Sequence, residues 1–246
     1  MIVDKIGIEP ENAEIGILFV PGWVTGTFEG EFEKELLRLV RIFEKMLQDK
    51  QIAGARMTYT CTLTGDESLR VQENMVTDIQ DALAYCRQTL GWKRIRIFAK
   101  GGSAWLVSKA GHKAKWGNGL PTMPRIERMC FFEPILNVSE IMKQSFENKQ
   151  TIIKGKKLDE SFFKSFYDES SLWLLLDETA PPTLLISASH DEFCQKSDLN
   201  KMGKAVEILR LETVVGHNML EDKANAPDLV TLAETIMNFL FDGLKT

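Results

Sequence analysis

The sequence predicts an α/β fold built on a mainly parallel, doubly wound sheet. Two apolar runs, Ile15–Val20 and Thr183–Ala188, have the length and continuity of strands buried on both faces. Between such runs, apolar residues recur at spacings of three and four, as on helices that cover a sheet. A third stretch, Arg96-Ile97-Phe98-Ala99-Lys100-Gly101-Gly102-Ser103-Ala104-Trp105, passes from an apolar strand through a glycine pair into a serine and a new helix. Strands alternating with helices imply right-handed crossovers and parallel strand neighbours.

Taken in order, the first strand is Ile15–Val20, stopped by Pro21-Gly22. Helical periodicity follows from Phe32 to Leu47, with Phe32, Leu36, Leu39, Val40, Phe43 and Leu47 on one face. A second strand is expected around Ala55 to Leu63, closed by Thr64-Gly65-Asp66. A second helix runs from about Val71 to Leu90, where Val76, Ile79, Leu83, Cys86 and Leu90 share a face and Gly91 fits a helix-ending glycine. The strand that leads into Ser103 begins near Ile95. Further strands are expected at Ile126–Pro134, Thr183–Ala188 and Ala205–Val214, and a last amphipathic helix from about Ala226 to Leu240. Residues 137–180 break the alternation with a helical, polar and aromatic segment, which reads as an insertion into one domain spanning 1–246.

Composition narrows the function classes. The 246 residues are 44% hydrophobic and 26% charged, which excludes a disordered or fibrous chain. Thirty basic against 35 acidic residues leave a net charge of −5, so no global signature of nucleic-acid or anionic-membrane binding is present. Cys61, Cys86, Cys130 and Cys194 are far apart in the chain and outside any metal-binding spacing, as free thiols of a reducing compartment would be. Neither a secretory signal nor a run of eighteen apolar residues occurs, and cytoplasmic residence is the default expectation.

The strand-glycine-serine-helix stretch has the form of a nucleophile elbow, the sharp turn that lifts a nucleophile above a parallel sheet in the pattern Gly-x-Ser-x-Gly. Two registers are open. With Ser103 as nucleophile, Gly101 takes the small position before it, but Trp105 falls where a second small residue belongs. Shifted by two, Ala99 and Ser103 take the small positions and Gly101 occupies the nucleophile slot without a side chain to attack with. Downstream, the strand Thr183–Ala188 leads into Ser189-His190-Asp191-Glu192, and Gly216-His217 follows 26 residues after Asp191.

With Leu18-Phe19-Val20-Pro21-Gly22-Trp23 after the early strand and Phe131-Phe132-Glu133-Pro134 after a later one, these motifs resemble the α/β-hydrolases over nearly the whole chain. The order serine, acid, histidine at 103, 191 and 217 is that family's order. The resemblance implies a sheet of the α/β-hydrolase type with residues 137–180 as a helical lid. It implies Ser103 as nucleophile, His217 as general base and Asp191 as its orienting acid, acting through an acyl-enzyme on a carboxylic ester or thioester. It further implies backbone donors to an oxyanion near Gly22 or Trp23 and at the residue after the nucleophile, Ala104 in one register and Gly102 in the other. No metal or organic cofactor is implied, and the partner is a small acyl ester or thioester.

The competing reading is a noncatalytic or inactivated protein of the same fold, in which Gly101 fills the nucleophile position and the pocket only binds. Plainer roles exist for each residue: Ser103 and Asp191 as helix caps, His112 as a solvent-facing residue and Cys194 as a buried thiol. Lys100 is given no chemical role by its sequence context.

Overall fold

In the computed structural model, which describes residues 1–6, 13–27, 34–153, 156–211, 219–221 and 228–241, seven strands form one sheet in the order β1-β3-β2-β4-β5-β8-β9. These are β1 (Ile2–Ile6), β2 (Ile15–Val20), β3 (Ala53–Thr58), β4 (Arg94–Lys100), β5 (Arg125–Phe132), β8 (Thr183–Ala188) and β9 (Val206–Leu211). All neighbours run parallel except the edge pair β1–β3. The apolar run in β2 identifies a central strand: Ile17, Leu18, Phe19 and Val20 are each fully buried, on alternating faces. Each contributes about 1.5–3 kcal/mol relative to exposure.

Helices cover both faces. On one lie α3 (Gln72–Gln88) and α4 (Ser103–Lys113), which pack against each other; on the other lie α1 (Lys34–Asp49) and α9 (Leu229–Phe241). Side chains of β4 separate accordingly, with Ile95, Ile97 and Ala99 in the core beneath α3 and α4, and Phe98 in the core beneath α1 and α9. Phe98 there stacks on Phe132 and tilts against Phe19 and Phe43.

Several sequence expectations need correction. Strand β1 was not anticipated, because an edge strand that carries Asp4 and Lys5 lacks a continuous apolar run. The second expected strand stops at Thr58 rather than near Leu63. Beyond Tyr59 the chain turns into the short helix α2 (Thr60–Thr64), held by Asp78, whose carboxylate accepts from the Thr60 amide at 2.8 Å and the Thr60 hydroxyl at 2.7 Å. Within 137–180, the helices α5 (Val138–Glu147), α6 (Glu160–Lys164) and α7 (Leu172–Leu175) are joined by an unexpected two-stranded antiparallel ribbon, β6 (Ile152–Ile153) with β7 (Lys156–Lys157). The expected boundaries of β9 and the last helix extend into residues 212–218 and 222–227, which lie outside the described residues.

Candidate functional site

The carboxyl ends of β2 and β4 open into a cavity of about 550 Å³. Gly22, Trp23, Val24 and Thr25 after β2 form one wall, and Lys100, Gly101 and Gly102 at the end of β4 form its base. The 137–180 segment supplies the opposite side through Ile141, Met142 and Ser145 of α5 and residues 149–153. Ile135 and Phe193, from the loops after β5 and β8, complete it. Apart from Lys100 and Lys149 the lining is apolar or neutral, as suits a small, largely apolar ligand.

The turn after β4 places its glycines for different physical reasons. Gly101 has φ +59°, a left-handed conformation that is costly for most side chains. Its amide donates to the Phe132 carbonyl at 2.9 Å, extending the β4–β5 ladder by one bond, and its carbonyl accepts from Ala104 at 3.1 Å, opening α4. A Cβ built on Gly101 would meet nothing nearer than the Glu133 carbonyl oxygen at 4.0 Å. A side chain there therefore has room at the base of the cavity. Gly102 differs: a Cβ would fall 2.1–2.4 Å from the Trp23 ring, so the indole packs where a side chain would stand.

Ser103 sits elsewhere than the first register expects. It is the first residue of α4, fully buried and absent from the cavity lining, with its hydroxyl 2.9 Å from that of Tyr59. The left-handed residue at the tip of the turn is Gly101, and Ser103 begins the helix that follows. The two small residues flanking that tip are then Ala99 and Ser103, both fully buried. Trp105 lies four residues past the tip and fills core, donating its indole N–H to the Ser170 carbonyl at 2.7 Å and packing edge-on against Phe166. The Ala104 amide donates to the Gly101 carbonyl at 3.1 Å and its side chain is buried. Gly22, Trp23 and Gly102 do come together at the cavity. Trp23 is fixed by Phe162 and Phe166 of the 137–180 segment, and its carbonyl accepts from buried Arg70 at 2.6 Å.

Asp191 follows β8 as expected and is nearly fully buried; its carboxylate accepts from the Phe193 amide at 2.9 Å, ordering the loop that brings Phe193 to the cavity. His217 lies outside the described residues. Cys194 is fully buried, and burial pushes its thiol up to about 12, which removes it as a thiolate nucleophile at neutral pH. His112 pairs with Asp177 at 3.3 Å on the surface, away from the cavity.

Sequence reasoning missed one feature of this site, a buried ion pair between Lys100 and Glu133. The β4–β5 register aligns Lys100 with Phe132, so Glu133 follows one residue beyond the ladder. Glu133 has φ +50°, an unusual backbone conformation for a non-glycine residue, and its carboxylate also accepts from the Met219 amide. The pair thus ties the elbow to the chain two residues beyond His217. The available signal was a charged residue ending each of two adjacent apolar strands.

Among the described residues, no three His, Cys, Asp or Glu side chains gather as a metal site requires, and no helix is long and apolar enough to cross a membrane.

No protein-family model matches the chain, and no curated protein matches it in sequence. Solved structures match it in fold. Est1E from Butyrivibrio proteoclasticus, with ferulic acid bound, aligns at a TM-score of 0.68 and 13% identity, covering 98% of this chain and 94% of that one. A structure from the metagenome-derived lipolytic enzymes LipS and LipT gives 0.65 and 16%, covering 97% and 96%. The mouse alpha/beta hydrolase domain-containing protein 10 gives 0.58 and 14%, covering 96% and 92%. The chain has the α/β-hydrolase fold, with its mainly parallel seven-stranded sheet flanked by helices.

Proposed function

We propose that this chain is a noncatalytic, ligand-binding form of the α/β-hydrolase fold, in which Gly101 stands in the nucleophile position and the cavity above it holds a small acyl-type molecule without covalent attack. The observation that carries this reading is the left-handed Gly101 at the tip of the elbow, with open space where a side chain would project. The apolar walls suit an acyl or aromatic group, and residues 137–180 serve as its cover. Four buried free cysteines accord with a reducing compartment such as the cytoplasm.

Hydrolysis through Ser103, His217 and Asp191 is the alternative expected from chain order. It requires Ser103 to leave its contact with Tyr59 and reach a cavity it does not line. A fluorophosphonate that labels activated serines separates the two, with adducts located by peptide mass spectrometry. The proposed reading expects no adduct at Ser103 in the unaltered protein and an adduct at position 101 in Gly101→Ser, lost when His217→Ala is added. Stoichiometric labelling of Ser103, abolished by His217→Ala, overturns the reading and restores a serine hydrolase. Titration with the fluorescent fatty acid cis-parinaric acid tests the binding half; saturable fluorescence displaced by short-chain acyl esters, with those esters recovered intact, is the expected result.

A further inference from the structure

At the opposite end of the sheet, the strands β4 and β5 begin beside a second cavity of about 480 Å³. The length of β4 separates it from the Gly101 turn by about 20 Å, at roughly 3.3 Å per strand residue. Its described lining residues include four arginines, Arg94, Arg96, Arg125 and Arg128, and one carboxylate, Glu127; Arg128 donates to the Phe239 carbonyl at 2.8 Å.

A strand irregularity builds this cluster. The parallel register runs Arg94↔Arg125 and Ile95↔Ile126, then jumps to Arg96↔Arg128, leaving Glu127 as the extra residue of a bulge. Under strict alternation Arg125 and Arg128 would point to opposite faces of the sheet. The inserted residue brings both to the face that carries Arg94 and Arg96. Glu127 is then shared, one oxygen 3.5 Å from Arg94 and the other 3.3 Å from Arg96.

Arg96 is only 4% exposed, and its Nε and Nη1 are buried without a hydrogen-bond partner. The Phe241 ring covers it at 4.7 Å. Orphaned donors on a buried cation are costly, and a soluble fold normally satisfies them. Burial lowers the Arg96 pKa, Arg128 and Arg94 lower it further, and Glu127 opposes them. Several guanidinium groups around one carboxylate suit a multiply charged anion with several acceptor oxygens. A concave site walled by Trp116 and Pro181 suits a small molecule.

We propose that this cavity binds the phosphate group of a small phosphorylated molecule, with Arg96 at its base and exposed Arg125 at its mouth.

The test is calorimetric titration of the full chain with inorganic pyrophosphate at fixed ionic strength, using Arg96→Met and Arg125→Gln as variants. Circular dichroism checks that each variant is folded, and Arg125→Gln, at an exposed position, keeps the test valid if Arg96→Met is not. Saturable 1:1 binding, weakened about tenfold or more by either folded variant, is expected. Absence of saturable heat up to about 10 mM, a binding free energy too weak for a built site, overturns the proposal. So does binding that neither substitution weakens. A sedimentation arm with phosphatidic-acid vesicles distinguishes the source of the phosphate: co-sedimentation without pyrophosphate binding overturns the small-molecule assignment in favour of a lipid headgroup.

Discussion

Substituting the two elbow glycines in turn gives opposite demands on neighbouring residues, and the contrast can be worked from their surroundings. Gly101→Ser places a side chain in open space, so its cost is conformational: roughly 1–2 kcal/mol for a left-handed non-glycine residue. Reduced freedom of the unfolded chain offsets about 0.4–1 kcal/mol of that. The net destabilisation is about 1 kcal/mol, a fall in Tm of about 2–4 °C for a chain of this size. Gly102→Ser carries no such backbone penalty, but its Cβ would lie 2.1–2.4 Å from the Trp23 ring. The indole must move out of its contacts with Phe166 and Phe162, whose ring centroids lie 4.7 and 5.8 Å away. Overpacking of about 1–3 kcal/mol plus two weakened aromatic pairs of about 0.5–1.5 kcal/mol each gives about 2–6 kcal/mol. Thermal unfolding followed by circular dichroism, with both variants at equal concentration, reads the difference. A Gly101→Ser protein as unstable as Gly102→Ser, or more so, would refute the assignment of Gly101 to an open turn tip.

Further outcomes follow from the same contacts. Lys100→Met leaves the Glu133 carboxylate buried without its cation and should cost about 3–5 kcal/mol in denaturant unfolding, whereas Lys100→Met with Glu133→Gln should recover most of that loss; a double-variant loss equal to the sum of the two single losses would show that the pair is uncoupled. Ser103→Ala should cost about 1–3 kcal/mol by stranding the Tyr59 hydroxyl, and should leave cis-parinaric acid binding unchanged; loss of binding with stability intact would place Ser103 at the cavity after all. Stability should fall as pH rises above about 9. Burial raises Cys86 and Cys194 from 9.0 to about 12 and also raises Tyr59, Cys61 and Cys130, so above the ordinary thiol value the folded state binds more protons than the unfolded one. Each such group adds a slope of about −1.4 kcal/mol per pH unit until its folded value is reached, and a flat urea midpoint from pH 8 to about 10.5 would contradict this.

The amino-acid order by itself determined the layered α/β plan, because buried parallel strands leave continuous apolar runs and their covering helices leave a 3.6-residue period. It also located the strand-to-helix turn at Gly101 and Gly102, the wall at Gly22 and Trp23, and the loop of Asp191, all near carboxyl ends of strands where an α/β sheet leaves a crevice. Edge strand β1, the bulge at Glu127 and the β6–β7 ribbon left no such pattern, since pairing partners distant in sequence define them. Gly-Gly-Ser fits both elbow registers, and only the tertiary structure supplies the backbone dihedral at Gly101 and the Trp23 ring against Gly102 on which the proposed register rests. The Lys100–Glu133 pair and the arginine cluster are likewise products of strand register. Each joins charges from adjacent strands more than 25 residues apart in the chain, and the free energy of such groups is set by what surrounds them when buried.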